Sequence, residues 1–197
     1  MKKHNFAIIG LGNVADFQIK ALLLSEELQL VAACDIDPDK KTKLPQDVLF
    51  YTDSEDLLRN TEVDAVLVST PHNQHFPVAR LALLSGKDVL LEKPATSTLG
   101  EFDELVTLAR SKERLLVIAF HAAFAMDLQW FQEAYASMLS TELGPLTGFN
   151  CGFYDPYIED SNLRTGAVNL VGSWTDSGIN ALSVIGQLMS FRQEVCK

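Results

Sequence analysis

Cysteine is scarce in this chain of 197 residues, which contains only Cys34, Cys151 and Cys196. The three are far apart and odd in number, so they do not form the disulfide framework typical of small secreted domains. None of them stands at the short spacing typical of metal ligands, and we predict no metal site. This cysteine usage fits a reducing compartment, and we expect the protein to be cytoplasmic.

Basic residues and long apolar runs are also few. Sixteen Lys and Arg against 26 Asp and Glu give a formal net charge of −10, which excludes a nucleic-acid face or an anionic membrane as partner. No segment approaches the ~20 apolar residues that cross a bilayer. The apolar run 6–9 follows two lysines but breaks at Gly10 without a cleavage site, so we do not interpret it as a secretory signal.

The first 120 residues alternate between short apolar runs and helix-like stretches. Runs that are apolar on both faces are typical of strands in a parallel sheet covered on both sides. Six are predicted to be strands: 6–9, 28–34, 48–51, 63–69, 88–91 and 115–120. Four stretches are predicted to be helices, the second capped by Ser54: 14–24, 54–59, 72–84 and 99–110. The pattern predicts an α/β fold, a doubly wound parallel-sheet Rossmann domain over residues 1–121.

The pattern changes beyond Phe120. It predicts a helix over 126–139, a strand from Phe149 to Phe153, an irregular stretch over 155–172 and a helix over 176–189. A single strand does not make a sheet, so we expect residues 122–197 to form an incomplete α+β substrate domain. Its open strand edge would be an association hazard. A truncated fragment, a homo-oligomer that covers this sheet, and a cofactor module without turnover remain open.

The first predicted strand leads into the motif Gly-Leu-Gly-Asn-Val-Ala. Gly10 permits the tight turn, and Gly12 lets the backbone approach a pyrophosphate. The helix that begins beside Asn13 and Val14 offers its N-terminal amides to the phosphates. This order of strand, glycine turn and helix predicts a dinucleotide-binding loop, although an ordinary glycine turn remains the alternative.

An acidic residue, Asp35, ends the second predicted strand. In dinucleotide-binding folds a carboxylate at this place binds the two hydroxyls of the adenosine ribose, and it would repel a 2′-phosphate. The predicted cofactor is therefore NAD. NADP remains the alternative, because Asp37 or loop residues can change the preference.

The tripeptide Glu92-Lys93-Pro94 ends the fifth predicted strand, at the sheet edge where ligands bind in such folds. Pro94 restricts Lys93 to an extended conformation, which orients the lysine consistently. Its ammonium group can donate to a reacting oxygen and stabilise the charge that develops there. A surface lysine in a turn is the alternative interpretation.

Taken together, the segments IIGLGNVA, ACDID, STPHNQHFPVARLALLSGKDVLLEKP and TDSGIN resemble the glucose–fructose oxidoreductase and inositol dehydrogenase (Gfo/Idh/MocA) family. The resemblance implies a Rossmann domain followed by a domain with a large open sheet, with Lys93 as the active-site lysine. His72 stands where the family usually has Asn, so its role is open between a helix-start residue and a cofactor contact. The resemblance implies these residues along the cofactor cleft: Ser69, Thr70, Pro71, His75, Glu92 and Lys93.

Many family members carry D-x-x-x-H in the last of these segments, whereas this chain has Asp176 and Asn180. That Asn, and His121 after the sixth strand, resemble the L-arabinose and D-galactose 1-dehydrogenase branch. The resemblance implies an NAD(P)-dependent oxidoreductase that oxidises the C1 hydroxyl of an aldose to a lactone by hydride transfer. Lys93 and Asp176 would be catalytic, and Asn180 and His121 would bind the sugar. The C1 hydroxyl is a hemiacetal and more acidic than an ordinary alcohol, so Asp176 suffices as the base.

Simpler interpretations exist for Asp176 and Asn180. Asp176 stands where a helix N-cap is expected, and Asn180 can be an exposed or backbone-bonded amide. For the chain as a whole, the alternative to a sugar dehydrogenase is a non-catalytic dinucleotide-binding or sugar-responsive regulatory protein.

Overall fold

The computed structural model describes residues 3–134, 140–142, 144, 147–148, 150–152, 158–159, 162–163 and 177–188. The chain forms two compact units, Met1–Ala119 and Phe120–Lys197. Among the residues described, no helix is both long and apolar enough to cross a membrane.

The first unit is built on a six-stranded parallel sheet. Its strands are β1 (His4–Ile9), β2 (Leu28–Cys34), β3 (Leu49–Tyr51), β4 (Ala65–Val68), β5 (Asp88–Glu92) and β6 (Leu116–Ala119). They lie in the order β3-β2-β1-β4-β5-β6, and every neighbouring pair is parallel. This is the strand order of a doubly wound Rossmann fold, so the predicted fold class is confirmed. The order reverses beside β1, which opens a crevice at the carboxyl ends of β1 and β4.

Helices follow the strands and cover both faces of the sheet. They are α1 (Ala15–Leu24), α2 (Ser54–Leu58), α3 (His72–Leu84) and α4 (Leu99–Ser111), with a 3-10 helix at Pro38–Lys43. Along β1 the buried side chains alternate: Ile8 packs with Ile19 of α1, whereas Ala7 and Ile9 belong to the cluster that includes Leu83 of α3. The period of two along the strand therefore supplies two apolar layers, one for each face.

The predicted cap of α2 is wrong by one residue. Asp53, not Ser54, is the N-cap, and its carboxylate accepts hydrogen bonds from the backbone N–H groups of Glu55 and Asp56. Asp53 has an extended backbone (φ −126°, ψ 129°), which is the conformation of a capping residue, and Asp caps helices as well as Ser does.

Cys34 at the end of β2 gives the first prediction. It is 3% exposed, and burial, then the nearby carboxylates of Asp35 and Asp53, raise its pKa from 9.0 to about 11. Because only the thiolate is nucleophilic, we expect native Cys34 to resist iodoacetamide at neutral pH and to react when urea unfolds the chain. Mass spectrometry of the alkylated peptides measures this, with partly exposed Cys151 as internal control. Equal native labelling of the two residues would contradict it.

The second unit contains short described elements. They are a 3-10 helix at His121–Phe124, α5 (Met126–Ala134), α6 (Ser140–Glu142), β7 (Ile158–Glu159), β8 (Asn162–Leu163) and α7 (Ile179–Leu188). Helix α7 packs on the 3-10 helix, and the Gln132 side chain of α5 donates to the Gln187 carbonyl of α7 at 2.9 Å. Both long predicted helices are therefore present, over the parts of 126–139 and 176–189 that the structure describes.

The predicted strand from Phe149 to Phe153 is wrong over residues 150–152, which are not in a strand; Phe149 and Phe153 lie outside the described residues. The antiparallel pair β7–β8 instead falls within the stretch predicted to be irregular. A short apolar alternation does not form a strand without a partner to pair with, and no described segment pairs with residues 150–152. Self-association of the chain stays a prediction.

Candidate functional site

Gly10 forms the turn between β1 and α1. Its N–H donates to the carbonyl of Cys34 at 2.8 Å, and its φ is +97°, a conformation that favours glycine. A Cβ at this position would lie 2.6 Å from the carbonyl oxygen of Ser69, which belongs to the backbone after β4. The turn therefore packs directly on the β4 end, and no side chain fits there.

The next part of the loop is open. Gly12, Asn13 and Val14 are exposed, and a Cβ on Gly12 would meet nothing within 4 Å. Val14 is the N-cap of α1, and its side chain makes no capping hydrogen bond. This ten-residue helix thus begins directly after an exposed glycine turn, where an anion would be stabilised by the helix dipole.

Asp35 lies against the same loop. Its Oδ2 accepts from the N–H of Leu11 at 2.7 Å, and its Oδ1 accepts from the N–H of Asp37 at 2.9 Å. A carboxylate has about four acceptor positions, so two bonds leave capacity for ribose hydroxyls. The carboxylate is therefore fixed against the glycine loop, and the ribose contact stays a prediction.

Lys43 is a residue that the sequence did not point to. Its Nζ donates to the carbonyl of Gly12 at 3.3 Å and pairs with Asp16 of α1 at 2.9 Å. The lysine comes from the 3-10 helix after β2, and no motif links it to a loop 31 residues earlier. It places the Lys43–Asp16 ion pair beside the open turn.

The Glu92-Lys93-Pro94 turn is held from α1. Gln18, which is buried, donates from Nε2 to Oε1 of Glu92 at 2.9 Å, and Oε2 of Glu92 accepts from the N–H of Lys93 at 3.2 Å. The Lys93–Pro94 peptide bond is cis, Pro94 is buried and Lys93 is half-buried. Gln18 was not predicted as a site residue, since its partner lies 74 residues away.

The segment after β4 runs beside this turn. Ser69 donates its N–H to the Ile9 carbonyl at 2.8 Å, and Pro71 is the exposed N-cap of α3. The hydroxyl oxygen of Thr70 is buried and has no hydrogen-bond partner among the described residues. His75 is completely buried between the Thr70 and Pro94 carbonyls, and the His72 ring lies 5.4 Å from its ring, edge to face.

The predicted sugar-binding residues belong to the second unit. His121 is exposed and begins the 3-10 helix His121–Phe124. Helix α7, which carries Asn180, packs on this 3-10 helix, so the two residues belong to neighbouring elements. Asn180 is 3% exposed, and its side-chain oxygen Oδ1 is buried without a hydrogen-bond partner in the described part of the chain. Asp176 lies outside the described residues. In the ranges that the structure describes, no three His, Cys, Asp or Glu side chains group as metal ligands.

An open glycine turn at a helix N-terminus, a carboxylate at the end of the neighbouring strand, and a buried hydroxyl without a partner fit a dinucleotide. These features define a nucleotide-binding Rossmann unit. The family model described as "Oxidoreductase family, NAD-binding Rossmann fold" matches residues 4–120. The chain therefore belongs to the Gfo/Idh/MocA family of NAD-binding oxidoreductases, which confirms the predicted family and cofactor.

Individual relatives agree with this assignment. An uncharacterized oxidoreductase of Synechocystis is 35% identical over 64% of this chain and 35% of its own length. D-glucoside 3-dehydrogenase of Escherichia coli is 31% identical over 64% of this chain and 37% of its own length. The structure of an NAD-binding protein from Listeria innocua shares the fold, with a TM-score of 0.74 and 23% identity over 93% of this chain and 54% of that one. The match spans about a third of the length of these curated relatives.

Proposed function

We propose that this chain acts as an NAD-dependent dehydrogenase, which oxidises the C1 hydroxyl of a cyclic aldose to a lactone. The observation that carries the substrate assignment is the buried amide of Asn180, whose Oδ1 has no partner among the described residues. An orphaned buried acceptor is costly unless a ligand donates to it, so it favours a substrate contact over the backbone-bonded alternative. A sugar hydroxyl is a donor of the required kind.

The first unit supplies the cofactor contacts of this proposal. Gly12, Asn13 and Val14 would hold the pyrophosphate at the start of α1, and Asp35 would accept from the ribose hydroxyls. Bound NAD supplies the two-electron acceptor. Ser69, Thr70 and Pro71 line the same sheet edge, as the resemblance implies.

The proposed chemistry at the sugar needs a base and a donor. Asp176 accepts the proton of the C1 hydroxyl, and the ammonium of Lys93 donates to the same oxygen and stabilises its developing charge. Asn180 and His121 hold the sugar. Because the substrate is a hemiacetal, a carboxylate is a sufficient base and the histidine common in the family is dispensable. The similarity to D-glucoside 3-dehydrogenase supports a sugar as the substrate class.

The experiment has two stages. Titration of the purified chain with NADH, followed by fluorescence, is expected to saturate in the roughly micromolar to millimolar range typical of enzyme ligands. Incubation with galactose, arabinose, xylose or glucose and NAD or NADP is then expected to release reduced cofactor and a lactone with at least one sugar. Asn180→Ala should lower kcat/KM for the sugar and leave NADH binding unchanged.

Other results separate the alternatives. NADH binding with no turnover of any of these sugars would favour a non-catalytic, sugar-responsive regulatory protein. Absence of saturable NADH binding would contradict the cofactor assignment for the isolated chain.

A further inference from the structure

His75 of α3 connects two segments of the candidate site. Its Nδ1 lies 2.7 Å from the carbonyl oxygen of Pro94, and its Nε2 lies 2.9 Å from the carbonyl oxygen of Thr70. The ring has no exposed surface. One segment is the turn that carries Lys93, and the other is the loop after β4. A single buried ring therefore spans the gap between them.

Both ring nitrogens of His75 face backbone carbonyl oxygens, and the tautomer of the ring decides which nitrogen donates. Backbone carbonyl oxygens only accept, so each contact needs a proton on the ring nitrogen that faces it. A neutral ring donates to one carbonyl, and a cationic ring donates to both. Either way both nitrogens of His75 face backbone, and no polar atom of the side chain is left for a cofactor. This differs from the cofactor contact that the resemblance implies.

We propose that His75 is a positioning residue that sets the separation between the Lys93 turn and the loop after β4. It acts on Lys93 through the carbonyl of Pro94, whereas the Gln18–Glu92 hydrogen bond holds the same turn from α1. It acts on the β4 loop through the carbonyl of Thr70. The catalytic meaning of this role rests on the proposed function, but the positioning itself belongs to the protein without ligands.

Two substitutions separate the two contacts. The amide nitrogen of Asn is as many bonds from Cβ as Nδ1 of His is. The amide nitrogen of Gln is as many bonds from Cβ as Nε2 of His is. His75→Asn therefore keeps a donor toward Pro94 and loses the Thr70 contact, whereas His75→Gln does the reverse. Asn73→Ala, exposed on the same helix, is the control.

The readouts are made on the full chain without cofactor. The acetylation rate of Lys93 is measured by mass spectrometry, and hydrogen exchange is followed in peptides covering 69–71 and 92–96. The loss of one hydrogen bond should change the acetylation or hydrogen-exchange rate of the affected segment by about five-fold. His75→Gln should alter Lys93 acetylation and exchange at 92–96 and spare 69–71; His75→Asn should speed exchange at 69–71 and spare Lys93. Asn73→Ala should change neither.

Equal effects of the two variants on both segments, an effect of only one variant, or no effect of either would overturn the proposal and leave His75 a core residue. If the variants do not fold, ring nitrogen NMR of the unmodified chain decides: a slowly exchanging ring N–H hydrogen-bonded to a carbonyl supports the role, and its absence contradicts it. If the two variants affect different segments as expected but the chain does not bind NADH, the proposed function fails and the positioning role stands.

Discussion

Replacing Gly10 by alanine is expected to destabilise the first unit by roughly 3 kcal/mol, because the new Cβ combines a strained conformation with backbone overlap. The φ of Gly10 is +97°, and the Cβ would lie 2.6, 2.7 and 2.8 Å from three backbone atoms of Ser69 and Thr70. Backbone atoms cannot rotate away as a side chain would, so β1 and β4 must move apart. Urea denaturation followed by circular dichroism measures the loss, and NADH binding should disappear with it.

Two other glycines are matched controls for this substitution. Gly86 also has a positive φ, +75°, but its Cβ would meet nothing within 4 Å, so Gly86→Ala should cost only about 1 kcal/mol. Gly12 has neither a positive φ nor a backbone atom close to the position of an added Cβ. Gly12→Ala should therefore leave the stability unchanged and weaken NADH binding at least about ten-fold, because the methyl group occupies the surface where a pyrophosphate approaches. Unchanged NADH affinity in Gly12→Ala would argue against the loop as the phosphate site.

Replacing Lys93 by methionine is expected to lower kcat for the sugar by about 10²–10³, the usual loss when one donor to a developing negative charge is removed. Methionine keeps most of the length and the apolar stem but cannot donate. The phosphate and ribose contacts lie at the ends of β1 and β2, so NADH affinity should fall much less than kcat does. Initial rates with the best aldose of the panel give kcat, and a parallel NADH titration gives the NADH affinity.

Lys20→Met is the control for charge, since Lys20 is exposed on α1. It removes the same charge and should leave kcat unchanged. If Lys93→Met retains full turnover, the lysine is a surface residue in a turn, which is the alternative that the sequence left open.

Local sequence was sufficient for most of the first unit. The β2 prediction matches Leu28–Cys34, and the α3 prediction matches His72–Leu84 despite Pro77 within the helix. These elements depend on apolar runs, caps and glycine turns, all of which are local signals. The glycine loop and Asp35 were predicted as cofactor contacts for the same reason, because their spacing along the chain reflects one strand–helix–strand unit.

Long-range partners were beyond the sequence. The Gln18–Glu92 hydrogen bond, the Lys43 contact with Gly12 and the burial of His75 between two carbonyls join residues that only the packed sheet brings together. A single sequence carries propensities but no record of which side chains meet. In the second unit, the apolar alternation around Cys151 predicted a strand, although residues 150–152 have no strand partner among the described residues.

The double hydrogen bonding of Asp35 has a consequence for attempts to redesign the protein toward NADP. The usual change removes this carboxylate to admit a 2′-phosphate. Here the same oxygens hold the amides of Leu11 and Asp37, so the exchange would also release the glycine turn and the start of the 3-10 helix. A successful redesign needs an uncharged acceptor that still reaches Leu11, such as the amide of Asp35→Asn, before any new cation is introduced.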